Sequence, residues 1–530
     1  AMILREQPRW SRGELRGLLR ALCRDGFFES EREIVARCLR VASEARPEPR
    51  LDHVAVVTRD RPEQLRGWLQ SVCALPRGAD RAVTVTVCDD SPDRAARRRL
   101  RSMLAALASD SGLRVRYVGL EEKRAFCVAL SELEAVPMEV VEAALFDVRG
   151  FGRSTGGNRN ALSLAHQGQR VLSMDDDTQL RLARTPSSRD VVALDGRSCP
   201  LATWFFGQRQ DALDGVRFEE VDPMALFGSA FGALPGLLKN GCDVTHASQA
   251  MVRRLEAGQG HVVAVSAGVV GDSGVGDPTP WLCLPEGPTR RRLLRARATY
   301  EAAFTHKEVV RGATSLAVSD QPFLMAPALA LDLGCLLPPF PTTVRNQDGV
   351  FGYALRRVMD DGYVAHLPWV VAHLPPSRRY PPCGPGYSLD AMLIGALATA
   401  TSVGSPAERL EILGAHLCDL AAWSDRRLRA WLERDRQRRI GHRVRLLEER
   451  LAEHQERPRR WAADVRRQIE ASLEFLVDGP RLPATGPADR ALAMCRRVLA
   501  DYGLVLRWWP RIVAATARLA ERGHAMAREP

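Results

Sequence analysis

Lysine is nearly missing from this chain. Of its 75 basic residues only Lys123, Lys239 and Lys307 are lysine, and the rest are arginine. The formal net charge of +11 therefore has two open readings: an arginine-biased composition with a solvated basic surface, or a surface that attracts anions such as nucleotide diphosphates or an acidic acceptor. Aromatic residues make up 6% of the chain. They form no stripe interleaved with basic residues, which argues against a nucleic-acid partner. CxxC pairs are also absent. The twelve cysteines sit singly inside apolar runs, as at Cys73, Cys88 and Cys335, which excludes a zinc ribbon or a disulfide framework and predicts buried reduced thiols. No apolar stretch reaches the ~18–20 residues of a membrane span; the longest, Ala391–Val403, is too short. The N-terminus lacks a secretory pattern. Together these absences predict a cytoplasmic protein with no membrane span.

What is present is length and alternating period. At 530 residues the chain exceeds one compact core, and roughly 100–200 residues per domain gives two to four units. Residues 1–50 read as a helical segment, with helix predicted over 10–46 and Ser11 and Glu14 forming a capping box. At residue 52 the period changes. A short β-branched apolar run at His53–Thr58 and further short runs at Ala82–Cys88, Leu113–Val118 and Arg170–Met174 read as strands, mostly buried. Helical patterns at Pro62–Val72, Asp93–Ala108 and Thr155–Gln167 alternate with them, so the fold class is α/β, a mostly parallel, helix-covered sheet. Residues 183–340 are less regular. A strand is expected at Val262–Val265, a helix at Val350–Val358, a strand or hairpin at Tyr363–Ala372, and a boundary in the Pro/Gly stretch Pro375–Gly386. The predicted division is 1–50, then a catalytic unit 51–385 with halves 51–180 and 181–385, then an all-helical region 386–530.

Chemistry gathers at the strand ends, where open α/β sheets place their ligands. The first strand runs into Thr58-Arg59-Asp60-Arg61-Pro62 and the second into Asp89-Asp90-Ser91. A later helix opens Gly156-Gly157-Asn158-Arg159-Asn160, and the next strand meets Asp175-Asp176-Asp177. Three adjacent carboxylates repel one another, and a bound divalent cation would explain their clustering. Hard ions such as Mg²⁺ or Mn²⁺ take carboxylate oxygens and share their other positions with phosphate, which lets a diphosphate leave. On an extended segment Asp175 and Asp177 point the same way and Asp176 the other.

These segments, in this order, resemble the nucleotide-binding half of GT-A fold (Rossmann-like) glycosyltransferases, especially the inverting family 2 group. The resemblance covers residues 52–180 well and 181–380 loosely, and leaves out both helical flanks. It implies a nucleotide-sugar donor, UDP-linked, and a Mn²⁺ or Mg²⁺ cofactor. It also implies that Thr58 and Arg59 lie by the base and ribose, that Asp89 with Asp90 binds the nucleoside, and that Arg159 reaches the diphosphate. Asp175 would lie by the ribose or metal, with Asp176 beside it in the donor group, and Asp177 would ligate the metal. The matching stretch for the catalytic base is Asn346-Gln347-Asp348-Gly349, with Asp348 as the base; it holds one carboxylate where the family has an acidic pair. His373, at a strand end, is a candidate additional metal ligand, and His366 a weaker one.

Two other motifs weigh against this reading and fail. Gly271-Asp272-Ser273-Gly274 resembles the nucleophile segment of trypsin-like proteases, but those need a two-barrel β fold; a flexible acceptor-side loop over Gly268–Pro280 is the expectation instead. Gly150–Gly157 lacks the GK[ST] ending of a phosphate-cradling loop. Competing functions are a nucleotidyltransferase that makes nucleotide sugars, which would show a Gly-rich basic segment after the first strand, and a non-catalytic helical scaffold carrying a relic domain. The helical end, with Trp508-Trp509, is open to core packing, a homodimer interface or docking of a peptide or natural-product acceptor.

Overall fold

The computed structural model describes residues 11–26, 29–40, 50–75, 83–152, 154–238, 241–376, 379–380, 386–453, 458–479, 481–484 and 486–530. The predicted boundary Pro375–Gly386 lies largely outside them.

Among the described residues fifteen strands form one mixed sheet: β1 Leu51–Thr58, β2 Thr84–Asp89, β3 Arg114–Val118, β4 Arg170–Asp175, β5 Thr178–Arg184, β6 Val192–Asp195, β7 Ala202–Phe205, β8 Phe218–Glu219, β9 Gly232–Ala233, β10 Cys242–His246, β11 His261–Asp272, β12 Glu308–Gly312, β13 Leu316–Ser319, β14 Ala328–Asp332 and β15 Gly362–His373. The main path runs β10-β6-β13-β15-β11-β14-β4-β1-β2-β3. Its β4-β1-β2-β3 end is parallel throughout, and antiparallel pairings enter with β14. The β-branched runs of β1 and β2 are buried along nearly their whole length, as strands covered on both faces must be.

The longer helices are α1 Arg12–Arg24, α2 Glu31–Arg40, α3 Pro62–Cys73, α4 Arg94–Ser111, α5 Leu120–Glu134, α6 Met138–Leu145, α7 Thr155–Ala165, α8 Gln347–Val358, α9 Leu389–Thr399, α10 Pro406–Ala422, α11 Asp425–Glu453, α12 Arg459–Asp478 and α13 Ala488–Glu521. Ser11 and Glu14 do form a reciprocal capping box on α1. Of the stretch expected to be helical, 10–46, the described residues form two helices, α1 and α2, and residues 10, 27–28 and 41–46 lie outside the described ones. No helix among the described residues is long and apolar enough to cross a membrane.

The C-terminal helices pack into the core beside the sheet. Leu410, Leu499 and Trp509 belong to the same hydrophobic cluster as Leu145, Leu162 and Phe351. The Trp509 indole donates to the Leu337 carbonyl at 2.8 Å and the Tyr502 hydroxyl to the Pro339 carbonyl at 3.0 Å, so α13 is stitched to the chain that leads into α8. Trp509 is buried and Trp508 is half-buried under the Arg511 guanidinium. The pair is packed rather than displayed as an aromatic patch.

Two core histidines make stability acid-sensitive. His166 lies between Gln169 (3.1 Å) and Thr86 (3.0 Å), and burial pushes its pKa down to about 3. Burial likewise pushes His366 down to about 4. Unfolded histidine titrates near ~6.5. A depressed folded value means the unfolded chain binds the extra protons, so this stability is complete above that pH and is lost as pH falls toward the folded values. The expected loss is about 1.4 kcal/mol per histidine per pH unit below ~6. Melting temperature measured from pH 7 to 5 should fall, and His166→Gln with His366→Gln should flatten the slope; an unchanged slope would assign the acid sensitivity elsewhere.

Candidate functional site

The chain turns a corner at Asp175. β4 carries Asp175 as its last residue, Asp176 and Asp177 form the turn, and β5 leaves to pair with β15. β4 is parallel to β1, with Asp175 opposite Val57, and β15 is parallel to β11. The corner therefore meets the carboxyl end of β1 at Thr58 and that of β15 at His373, which lies opposite Thr178.

Each carboxylate of the run has a different partner. Asp175 accepts from Arg159 Nη2 at 2.5 Å. The Arg159 side chain is 1% exposed; the same nitrogen also donates to the Ala326 carbonyl at 3.2 Å, so the guanidinium is fixed. Asp176 accepts from the Thr58 hydroxyl at 2.8 Å and from Arg61 Nη1 at 3.1 Å. Asp177 takes the same Arg61 nitrogen at 3.0 Å and faces His373 Nε2 at 3.4 Å. Asp176 and Asp177 thus share one guanidinium nitrogen while Asp175 is held apart by Arg159, so Asp176 does not point away from Asp177 as alternation suggests; it is buried and also held by Thr58 of β1. The turn breaks strand alternation after Asp175, so Arg61 can bridge two consecutive carboxylates.

The electrostatics differ accordingly. Burial pushes Asp176 up to about 6, against the opposing pull of Thr58 and Arg61. Burial also opposes ionisation of Asp177, yet the bond and charge of His373 and the Arg61 guanidinium hold it below the usual carboxylate range. Asp348 sits in the first turn of α8, in the field of both Arg159 and Asp175; burial raises its pKa, and Arg159 opposes that rise.

His373 carries the clearest test of whether a cation fits. Its Nδ1 lies 2.7 Å from the Asp272 backbone carbonyl. A carbonyl only accepts, so Nδ1 bears a proton; burial opposes a charged ring, yet the bond and charge of Asp177 raise its pKa, which favours a second proton on Nε2 facing Asp177 Oδ1 in the place a cation would take. Two acceptors facing each other at 3.4 Å require a proton or a cation between them. Fixing the far nitrogen through a backbone carbonyl is also how metal-ligating histidines are oriented. Asp177 and His373, with Asp175 beside them, therefore fit a hard divalent ion. Among the described residues no three such side chains already converge as a preformed metal centre, and Arg61 now supplies positive charge at Asp176 and Asp177.

Behind this corner lies a buried polar knot. Lys123 is fully buried, with Nζ 2.5 Å from Asp90 Oδ1 and 2.7 Å from Asn158 Oδ1. Asn158 in turn donates to the carbonyls of Thr58 and Cys88. One lysine thereby ties the ends of β1 and β2 to the start of α7. Asp89 has no exposed surface. Its oxygens are taken by the Ser91 amide at 2.8 Å and the Tyr117 hydroxyl at 3.0 Å, so it faces the core. Asp90 keeps Oδ2 without a partner and is the freer of the two; Asp93, not Asp90, caps α4. Arg59 is part-exposed, its nearest carboxylate being Asp60 at 3.8 Å.

Gly156 and Gly157 serve packing. A Cβ on Gly156 would lie 2.0 Å from the Pro341 carbonyl oxygen, and one on Gly157 2.7 Å from that of Leu145. Only glycine lets α7 come this close to α6 and to the strand of chain before α8.

Two expectations are corrected. His366 is not at the site: it lies seven residues back along β15, ~20 Å at strand rise, buried against Ser266 at 2.9 Å. The stretch Gly268–Asp272 is not a flexible loop but the buried end of β11, because its small and β-branched residues pair with β12 and β15 at once. Three functional neighbours escaped the sequence reading: Arg61, Lys123 and Asn158. Lys123 had a signal, as one of three lysines in an arginine-rich chain.

No family model matches the chain, and no curated protein is similar to it.

Proposed function

We propose that the chain is a metal-dependent, inverting glycosyltransferase that takes its sugar from a nucleotide-diphosphate donor, a UDP-sugar by preference. The observation that carries this reading is the convergence of Asp175, Asp177, His373, Arg159 and Asp348 at one edge of the sheet. In this reading Asp90, its charge balanced by Lys123, lies behind the nucleoside end of the site, and Asp89 supports it through the Ser91 amide. Arg159 holds one donor phosphate while anchored on Asp175. Asp348 accepts the proton of the acceptor nucleophile; its raised pKa suits a base working near neutrality. Mn²⁺ or Mg²⁺ held by Asp177, Asp175 and His373 would supply charge neutralisation for the departing diphosphate. The acceptor class, a peptide or natural product, rests on the analogy of helical additions to such folds.

Arg61 favours a second reading. Because it already bridges Asp176 and Asp177, guanidinium charge from Arg61 and Arg159 would itself balance the diphosphate, without a cation. A thermal-shift panel of nucleotide sugars with and without Mn²⁺ separates the two, since a bound donor stabilises by mass action. Stabilisation that needs Mn²⁺ supports the first reading, and equal stabilisation without it supports the second. No shift with any nucleotide sugar would overturn both.

A further inference from the structure

Away from the carboxylate corner, α13 and the loop entering α7 enclose a cavity of about 300 Å³ lined by Arg149, Phe151, Arg490, Ala493, Met494 and Arg497. The loop is built to form it. Gly150 and Gly152 adopt left-handed φ values of 69° and 70°, which glycine tolerates freely. The Asp147 carboxylate accepts the Phe151 amide at 2.9 Å, and Arg149 clasps Asp501 of α13 through two bonds of 2.8 Å. The α13 residues 490, 493, 494 and 497 share one helix face. Arg490 and Arg497 are exposed, and their backbones stand roughly 10 Å apart along the axis. Neither is tied to a carboxylate among the described residues. Phe151 and Met494 are half-buried and form the apolar floor.

We propose that this cavity docks an acidic polypeptide segment that places an apolar side chain on the floor and carboxylates on Arg490 and Arg497. The spacing decides between ligands. Two arginines whose backbones stand about two helical turns apart, with an apolar floor beside them, suit carboxylates and an apolar side chain spread along a peptide, whereas a compact anion such as phosphate would leave the floor uncovered. Guanidinium pairs readily with carboxylate in the bidentate manner, and an apolar anchor within a charged rim is how a small interface gains specificity. This docking is independent of the donor chemistry, because it concerns binding alone.

The test is fluorescence anisotropy with a labelled twelve-residue peptide carrying leucine and phenylalanine between glutamates, on the full chain. Arg490→Glu with Arg497→Glu should weaken binding at least about tenfold. Arg98→Glu with Arg445→Glu, the same charge change on exposed arginines elsewhere, should leave it within about twofold. The peptide with glutamine for glutamate should lose a similar factor of about ten. Equal losses in the two variants, undiminished binding of the glutamine peptide, or displacement of the peptide by equimolar inorganic phosphate or by phosphatidylserine vesicles would each overturn the proposal.

Discussion

Asparagine in place of Asp177 is expected to lower sugar transfer about a thousandfold while leaving the fold intact. The carboxylate is the one member of the acidic run that faces both Arg61 and His373. Its low pKa keeps it charged throughout the working range. Removing that charge would remove a ligand of the cation that, in the proposed reaction, neutralises the leaving diphosphate, and such electrostatic contributions reach several kcal/mol. The amide keeps the shape and can still meet Arg61 or His373, so the melting temperature should change little. Initial rates and thermal unfolding on the same preparation check both halves. Activity within tenfold of the parent would remove Asp177 from the catalytic account. Lost activity with a collapsed melting temperature would make its role structural.

The largest expected loss of stability comes from Lys123→Met. Lys123 neutralises Asp90 deep in the protein, with both side chains nearly inaccessible. Methionine fills the space but leaves Asp90 as an uncompensated buried charge, which typically costs about 3–5 kcal/mol. Asn158 loses its lysine partner at the same time and with it part of its hold on the Thr58 and Cys88 carbonyls, so donor affinity should fall along with stability. Lys123→Met combined with Asp90→Asn removes the orphaned charge and should recover much of the stability but not the donor affinity. Denaturant unfolding of the parent, both single variants and the double variant reads this as a coupling energy. Additive losses would mean that the short contact between Lys123 and Asp90 contributes no coupling.

The contrast between these two predictions shows what the sequence makes legible. The strands of the first half were readable because a strand covered on both faces reads as a short buried run, β-branched in β1 and β2 and mostly unbranched in β4. The polar residues that follow them were readable for the same reason, since they mark where burial stops. Asp175, Asp177 and His373 were singled out this way, whereas Asp348, in the first turn of α8, was matched through the resemblance. Arg61, Lys123 and Asn158 were not, because their roles depend on partners 33 to 116 residues away, and only the topology brings those partners close. Asp89 misled for a related reason. It ends its strand like the others, yet Tyr117 on the neighbouring strand draws it inward. The irregular middle of the chain hid the second half of β11, whose twelve residues begin with the expected strand Val262–Val265 but also include the glycines that suggested a loop. There glycine reflects crowding: a Cβ on Gly268 would meet the Arg311 carbonyl oxygen at 2.2 Å and one on Gly271 that of His373 at 2.4 Å. The same crowding sets the Asp272 carbonyl against the His373 ring.

That ring and the carboxylate it faces hold the central claim, and calorimetric titration of UDP into the protein tests it most directly. With Mn²⁺ present the parent should bind UDP, and without it affinity should fall by at least about tenfold. Asp175→Ala combined with Asp177→Ala should abolish the difference between the two conditions. UDP binding that is equally tight with and without Mn²⁺, or that survives unchanged in the double variant, would contradict a cation-held diphosphate at this corner of the sheet.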